Sequence, residues 1–146
     1  MNTMTQHVDH AQVCEGFKFD LETTSASVQY FDRLLCQKPV SVDKLQITAL
    51  VCIWTASKML ESQPLRSKDL TQFFSSFASV KECREIEMDL LVRGLQWRTA
   101  SFTAAAYCRA LLFGFLSQED AAAIEEDLKH TLWAIEAGKL HCVCVW

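Results

Sequence analysis

Leu45-Gln46-Ile47-Thr48-Ala49-Leu50-Val51-Cys52-Ile53-Trp54-Thr55-Ala56-Ser57 is a run of thirteen residues without a charge. It is too short to span a bilayer, which takes about 20 residues. Leu45, Ile47, Leu50, Val51, Ile53, Trp54 and Ala56 cover the whole helical circle. A helix without a polar face is surrounded by protein. Residues 45–57 therefore belong to the central element of a bundle, and other helices pack around them.

Working outward, capping residues delimit those neighbours. Asp20 is placed to cap a helix through Cys36, and Pro39 breaks the chain after it. Ser41 caps the central helix and Pro64 closes it. Ser67 opens a short helix through Phe74. Ser79 with Glu82 forms a capping box for a helix ending near Trp97. Ser101 or Thr103 starts a helix to Phe115, and Ser117 with Asp120 starts the last, closed by Gly138 with Lys139 beside it. Ahead of Asp20, Val8, Ala11, Cys14 and Phe17 recur at helical spacing and give a first amphipathic helix. The fold class is all-α, a bundle about a buried central helix.

Composition narrows the function. The 146 residues hold 14 basic and 18 acidic side chains, a net charge of −4, with half the residues apolar. Disorder is excluded by that apolar content. A nucleic-acid partner is disfavoured, because a binder needs a basic face to displace counterions. The seven cysteines are odd in number, widely spaced and without a C-x-x-C pair, and four lie in apolar helical runs, so they read as reduced thiols. The start, Met1-Asn2-Thr3-Met4-Thr5-Gln6, does not resemble a signal peptide. His141-Cys142-Val143-Cys144 is too sparse to hold a structural metal, and the His7–His10 pair reads as exposed. Phosphate loops, dinucleotide fingerprints, zinc-protease motifs and nucleophile elbows are all missing. The reading is a non-enzyme without cofactor, metal, membrane or small-molecule substrate.

Two charges stand out. Lys58 directly follows the uncharged run. It is placed to cap the helix dipole, but Glu61 one turn later sits at the unfavourable end of that dipole, so capping alone does not explain the pair. Glu87 is the second. On a wheel of residues 79–97, Glu82, Glu85, Asp89, Arg93 and Gln96 share a solvent arc, whereas Glu87 falls among Ile86, Leu90, Leu91, Gly94, Leu95 and Trp97. A carboxylate there needs a partner, either Arg84 on the same helix or a group on another chain. A lysine and an acid so placed on two core helices suggest a polar hot spot for a protein partner.

Tyr30-Phe31-Asp32-Arg33-Leu34-Leu35, Leu45-Gln46 and Ala56-Ser57-Lys58-Met59-Leu60-Glu61-Ser62-Gln63-Pro64-Leu65 resemble the cyclin box in order and spacing. The last segment is most similar to D-type (G1) cyclins. Glu15-Gly16-Phe17-Lys18-Phe19 and Leu95-Gln96-Trp97 extend the likeness over about residues 10–100. The resemblance implies a five-helix cyclin fold with the third helix at its centre, plus two further helices. It implies binding and activation of a cyclin-dependent protein kinase in cell-cycle control, in the nucleus or cytoplasm. The family's kinase-contacting lysine carries over to Lys58. Its glutamate, counted back from Trp97, would stand at Met88, with Glu87 one residue away. Thr55, Met59, Val92 and Trp97 are the expected apolar surround.

Departures from the family also matter. Asn2-Thr3-Met4-Thr5-Gln6 and Asp9 replace the M-R-A-I-L segment and tryptophan of the substrate-docking groove, so that groove is expected to be absent, although Gln46 is retained. The L-x-C-x-E motif is missing. Residues 1–100 read as one cyclin box, and residues 101–146 as an incomplete second one whose Leu111, Leu112, Phe113 and Trp133 want cover. The alternative is a cyclin-fold scaffold or decoy that binds a protein without activating a kinase. A promoter-binding factor of the same fold fits the acidic charge poorly.

Overall fold

A computed structural model describes residues 10–74, 79–100 and 102–143, with side chains described over 13–70, 79–100 and 102–131. Residues 2–6, Val8 and Asp9, and the tail from Cys144, lie outside these ranges. Among the described residues the chain is helical with no strand. The elements are α1 (His10–Gly16), α2 (Leu21–Gln37), α3 (Val42–Leu60), α4 (Ser67–Phe74), α5 (Val80–Asp89), a π-helical turn (Leu90–Gly94), α6 (Ala104–Phe115) and α7 (Gln118–Val143).

Every residue of α3 from Ile47 to Ser57 is buried, as a helix without a polar face requires. Its two sides serve two cores. Ile47, Leu50, Val51, Ile53 and Trp54 pack with Cys14 of α1, Leu70 of α4 and Cys83 of α5. Ala49, Cys52 and Ala56 pack with Tyr30, Phe31 and Leu34 of α2 and with Leu90 and Leu95. Buried hydroxyls find acceptors nearby: Thr48 donates to the Lys44 carbonyl at 2.7 Å and Ser57 to the Trp54 carbonyl at 2.8 Å. The Trp54 indole N–H donates to the Leu65 carbonyl at 3.1 Å, tying the chain after α3 back onto it.

The helix α2 buries an uninterrupted run, Thr23-Thr24-Ser25-Ala26-Ser27-Val28. Small side chains let its neighbours approach closely. Asp20 stands at its N-cap position, but its side chain makes no capping bond. Instead the carboxylate of Glu61, at the end of α3, accepts the Asp20 N–H at 2.9 Å and the Thr23 hydroxyl at 2.6 Å. An acid that looked misplaced at one helix C-terminus thus serves the positive N-terminus of the next. Asp20 is released to meet Arg109 of α6 at 3.1 Å, and the same guanidinium holds Glu125 of α7 at 2.7 Å. Around that clasp, Leu21, Ala105, Cys108 and Leu128 form a small third core.

Other caps divide. Ser41 occupies its N-cap position without a side-chain bond, whereas Ser79 accepts the Glu82 N–H and Thr103, not Ser101, accepts the Ala106 N–H. Ser117 accepts the Asp120 N–H at 3.3 Å. Gly138 does not close the last helix, which continues to Val143. A helical glycine costs only about 1 kcal/mol and does not by itself stop a helix. The acidic arc of α5 is not bare solvent surface: Glu82 reaches Lys44 at 3.6 Å and Asp89 reaches Lys38 at 2.9 Å. On α6, Leu111 and Phe113 are exposed and Leu112 half-buried, while the side chain of Trp133 lies outside the described residues.

Candidate functional site

The helix after Ser79 does not run unbroken to Trp97. Its α-helical part ends at Asp89, and the chain continues through one π turn, with the Leu95 N–H bonded to the Leu90 carbonyl at 2.8 Å. A π turn holds one residue more than an α turn, and such turns recur at functional sites. Gln96 and Trp97 then take left-handed backbone conformations, φ 51° and 60°. The Trp97 N–H reaches the Leu91 carbonyl at 2.9 Å, and Arg33 of α2 donates to the carbonyls of Leu95 at 3.0 Å and Arg98 at 2.9 Å.

The family's spacing counted back from Trp97 falls at Met88, whereas the acid that faces α3 is Glu87. Its carboxylate pairs with the ammonium of Lys58 and accepts the Thr55 hydroxyl at 3.2 Å. Arg84, the other partner considered for Glu87, makes no ion pair among the described residues. The Lys58 ammonium also lies 3.4 Å from the centre of the Trp54 ring, a cation–π contact. Glu87 is 14% exposed at its side chain and Lys58 33%, so the pair is partly desolvated. Neither simple dipole capping nor a pair confined to one helix describes it.

Lys58, Glu87 and Trp54 border an open groove of about 640 Å³ between α3 and α5. Leu65 and Met88 complete its apolar lining, and Arg66 and Arg84 bring two further cations. Lys58, Glu87 and Thr55 come together, with Thr55, expected in the apolar surround, buried and bonded to the glutamate instead. Met59, Val92 and Trp97 are exposed but do not line the groove; Trp97 is 64% exposed. Trp54 and Arg66 were not singled out as site residues; Arg84 entered only as a partner for Glu87, and Met88 only as the counted position of the family's glutamate. The signal for Trp54 was its place one turn before Lys58, hidden because every residue around it also reads as core. Among the described residues, no group of three or more histidine, cysteine or acidic side chains could hold a metal. No helix there is long and apolar enough to cross a membrane.

Helix order and the buried third helix define the class, an all-α bundle of the cyclin type. The profile of the family described as "Cyclin, N-terminal domain" matches residues 11–100, more than half of the sequence, and the chain belongs to the cyclin family. Relatives include G1/S-specific cyclin-D1 of Homo sapiens, 34% identical over 92 residues that make up 63% of this chain and 31% of the relative. The mouse (Mus musculus) cyclin-D1 is 33% identical over the same shares. G1/S-specific cyclin-D2 of Rattus norvegicus is 32% identical over 102 residues, 69% of this chain and 35% of the relative. The chain spans about a third of the length of the curated relatives it matches.

Proposed function

We propose that this chain is a non-catalytic regulatory subunit that binds and activates a cyclin-dependent serine/threonine protein kinase in G1-like cell-cycle control. The carrying observation is the Lys58–Glu87 pair, held on the Trp54 ring at the edge of an open groove in a member of the cyclin family. In this reading Lys58 and Glu87 give charge-assisted hydrogen bonds to the kinase, Thr55 fixes the glutamate, and Met59, Val92 and Trp97 extend the apolar contact. Glu87 takes the role of the family's glutamate, with the π turn supplying the one-residue offset. Residues 1–100 are the docking unit, and residues 101–146 a partial second helical region braced on α2. The work is done in the nucleus or cytoplasm, without cofactor.

Activation is a population shift: a subunit that binds only the active kinase conformer tilts the equilibrium toward it. Removing one partner of a desolvated charged contact costs about 2–5 kcal/mol, a binding loss of tens-fold to thousands-fold. Co-purification of purified cyclin-dependent kinases with wild type, Lys58→Ala and Glu87→Ala tests the site. Both variants should lose the kinase; retention by both removes the assignment. Phosphotransfer by the bound kinase separates activation from binding alone, and binding without stimulation would favour the scaffold.

A further inference from the structure

We infer that the groove between α3 and α5 selects an acidic segment of its protein partner, with carboxylates meeting Arg66 and Arg84 beside an apolar lining; this rests on the docking role given to the same surface. The charge balance of the groove is the reason. Glu87 and Lys58 neutralise each other. Arg66 and Arg84 line the groove, are exposed, and make no ion pair among the described residues. Asp69, the acid nearest Arg66 in sequence, does not line the groove, and its carboxylate accepts the Arg66 backbone N–H at 2.9 Å.

A chain with a net charge of −4 therefore carries a locally basic groove. Arginine is suited to this task, since its planar guanidinium matches a carboxylate with two parallel hydrogen bonds. Trp54, Leu65 and Met88 between the charges favour a folded peptide segment with apolar anchors over a phosphate backbone, which offers few. Like-charged partners are rejected by the same two arginines, which gives the groove a means of choosing among related kinases.

Two fluorescein-labelled amphipathic helical peptides with identical apolar positions provide the probe, one with glutamates on its polar flank and one with glutamines. Fluorescence anisotropy with the full chain should show the glutamate peptide binding roughly tenfold tighter at low salt, the advantage shrinking as salt rises. The Arg66→Glu/Arg84→Glu variant should lose that preference, and the Arg66→Gln/Arg84→Gln variant should reduce it, with helical circular dichroism unchanged in both. Equal binding of the two peptides, or of neither, overturns the inference, as does tighter binding of a single-stranded oligonucleotide. Kinase co-purification separates the two claims. If the double arginine variants retain the kinase as wild type does while Lys58→Ala loses it, the acidic selection fails and the docking site stands. If Lys58→Ala and Glu87→Ala both retain it, the docking site fails.

Discussion

Arg33 shows how a short motif acquires its meaning only in three dimensions. Tyr30 and Arg33 stand one turn apart on α2, and both face the end of the π turn. The Tyr30 hydroxyl donates to the Thr99 carbonyl at 2.7 Å, and the Arg33 guanidinium holds the carbonyls of Leu95 and Arg98. The Leu95 carbonyl stands at the C-cap of the π turn, where helix carbonyls run out of intrahelical partners, and those of Arg98 and Thr99 belong to the chain that leaves it. The clasp holds Gln96 and Trp97 in left-handed conformations that branched or bulky side chains avoid. In the sequence the Tyr30–Arg33 spacing was legible as family likeness, but the carbonyls it serves lie more than sixty residues away and leave no local trace. Arg33→Met keeps the apolar stem and removes the donors. It should cost about 1.5–3 kcal/mol of stability, the range for hydrogen bonds to a charged group. Urea unfolding followed by helical circular dichroism reads the change, and an unaltered midpoint would mean that the turn holds without its clasp.

At the scale of elements, the decisive feature is the π turn between Asp89 and Leu95. An apolar wheel cannot reveal it, because the same leucines suit an α-helix and a widened turn equally. What the wheel did show was Glu87 on the wrong face for solvent, and the structure gives that placement its reason in Lys58 and Thr55. The widened turn also brings Gly94 against α2. A Cβ added there would stand 3.1 Å from Leu34 Cδ1 and 3.3 Å from Leu34 Cα, and a backbone atom in a packed helix gives little. Gly94→Ala should therefore destabilise by about 1–3 kcal/mol through overpacking, although alanine is the better helix former. A thermal melt gives the sign directly. Stabilisation by alanine would show that α2 yields and that the close approach has no consequence. The helices α2 and α3 were legible because Asp20, Ser41 and the two prolines bracket clear apolar patterns, even though neither cap side chain bonds its own helix end. Gly138 misled because a glycine signal carries weight only when the chain actually turns left-handed there.

Across the whole molecule, the protonation of buried groups couples the fold to pH. Cys52 lies fully buried in α3, and burial, with a smaller contribution from Asp32, pushes its thiol far above the ordinary value of 9.0. Burial raises the Cys83 thiol as well, with Glu82 and Glu87 adding to the effect. Desolvation raises Tyr30 above 10.0 and Cys52 adds to this, while Arg33 partly opposes it. All three are acids whose neutral form the fold prefers. Above about pH 9 the unfolded chain sheds thiol protons that the folded chain keeps, so stability falls as pH rises. The contribution is complete below the unfolded values and disappears as pH climbs through the folded ones. Tyr30 shifts in the same direction, so the thiols must be separated from it. Cys52→Ala combined with Cys83→Ala should be less stable than wild type at neutral pH, from lost packing. Its melting temperature should nonetheless fall less steeply between about pH 8.5 and 10, because two of the linked protons are gone. Parallel decline in the two proteins would mean that groups other than these two thiols carry the alkaline loss. A flatter curve for the double variant would place it in the two cores that share α3, one holding Cys52 of α3 itself and the other Cys83 of α5.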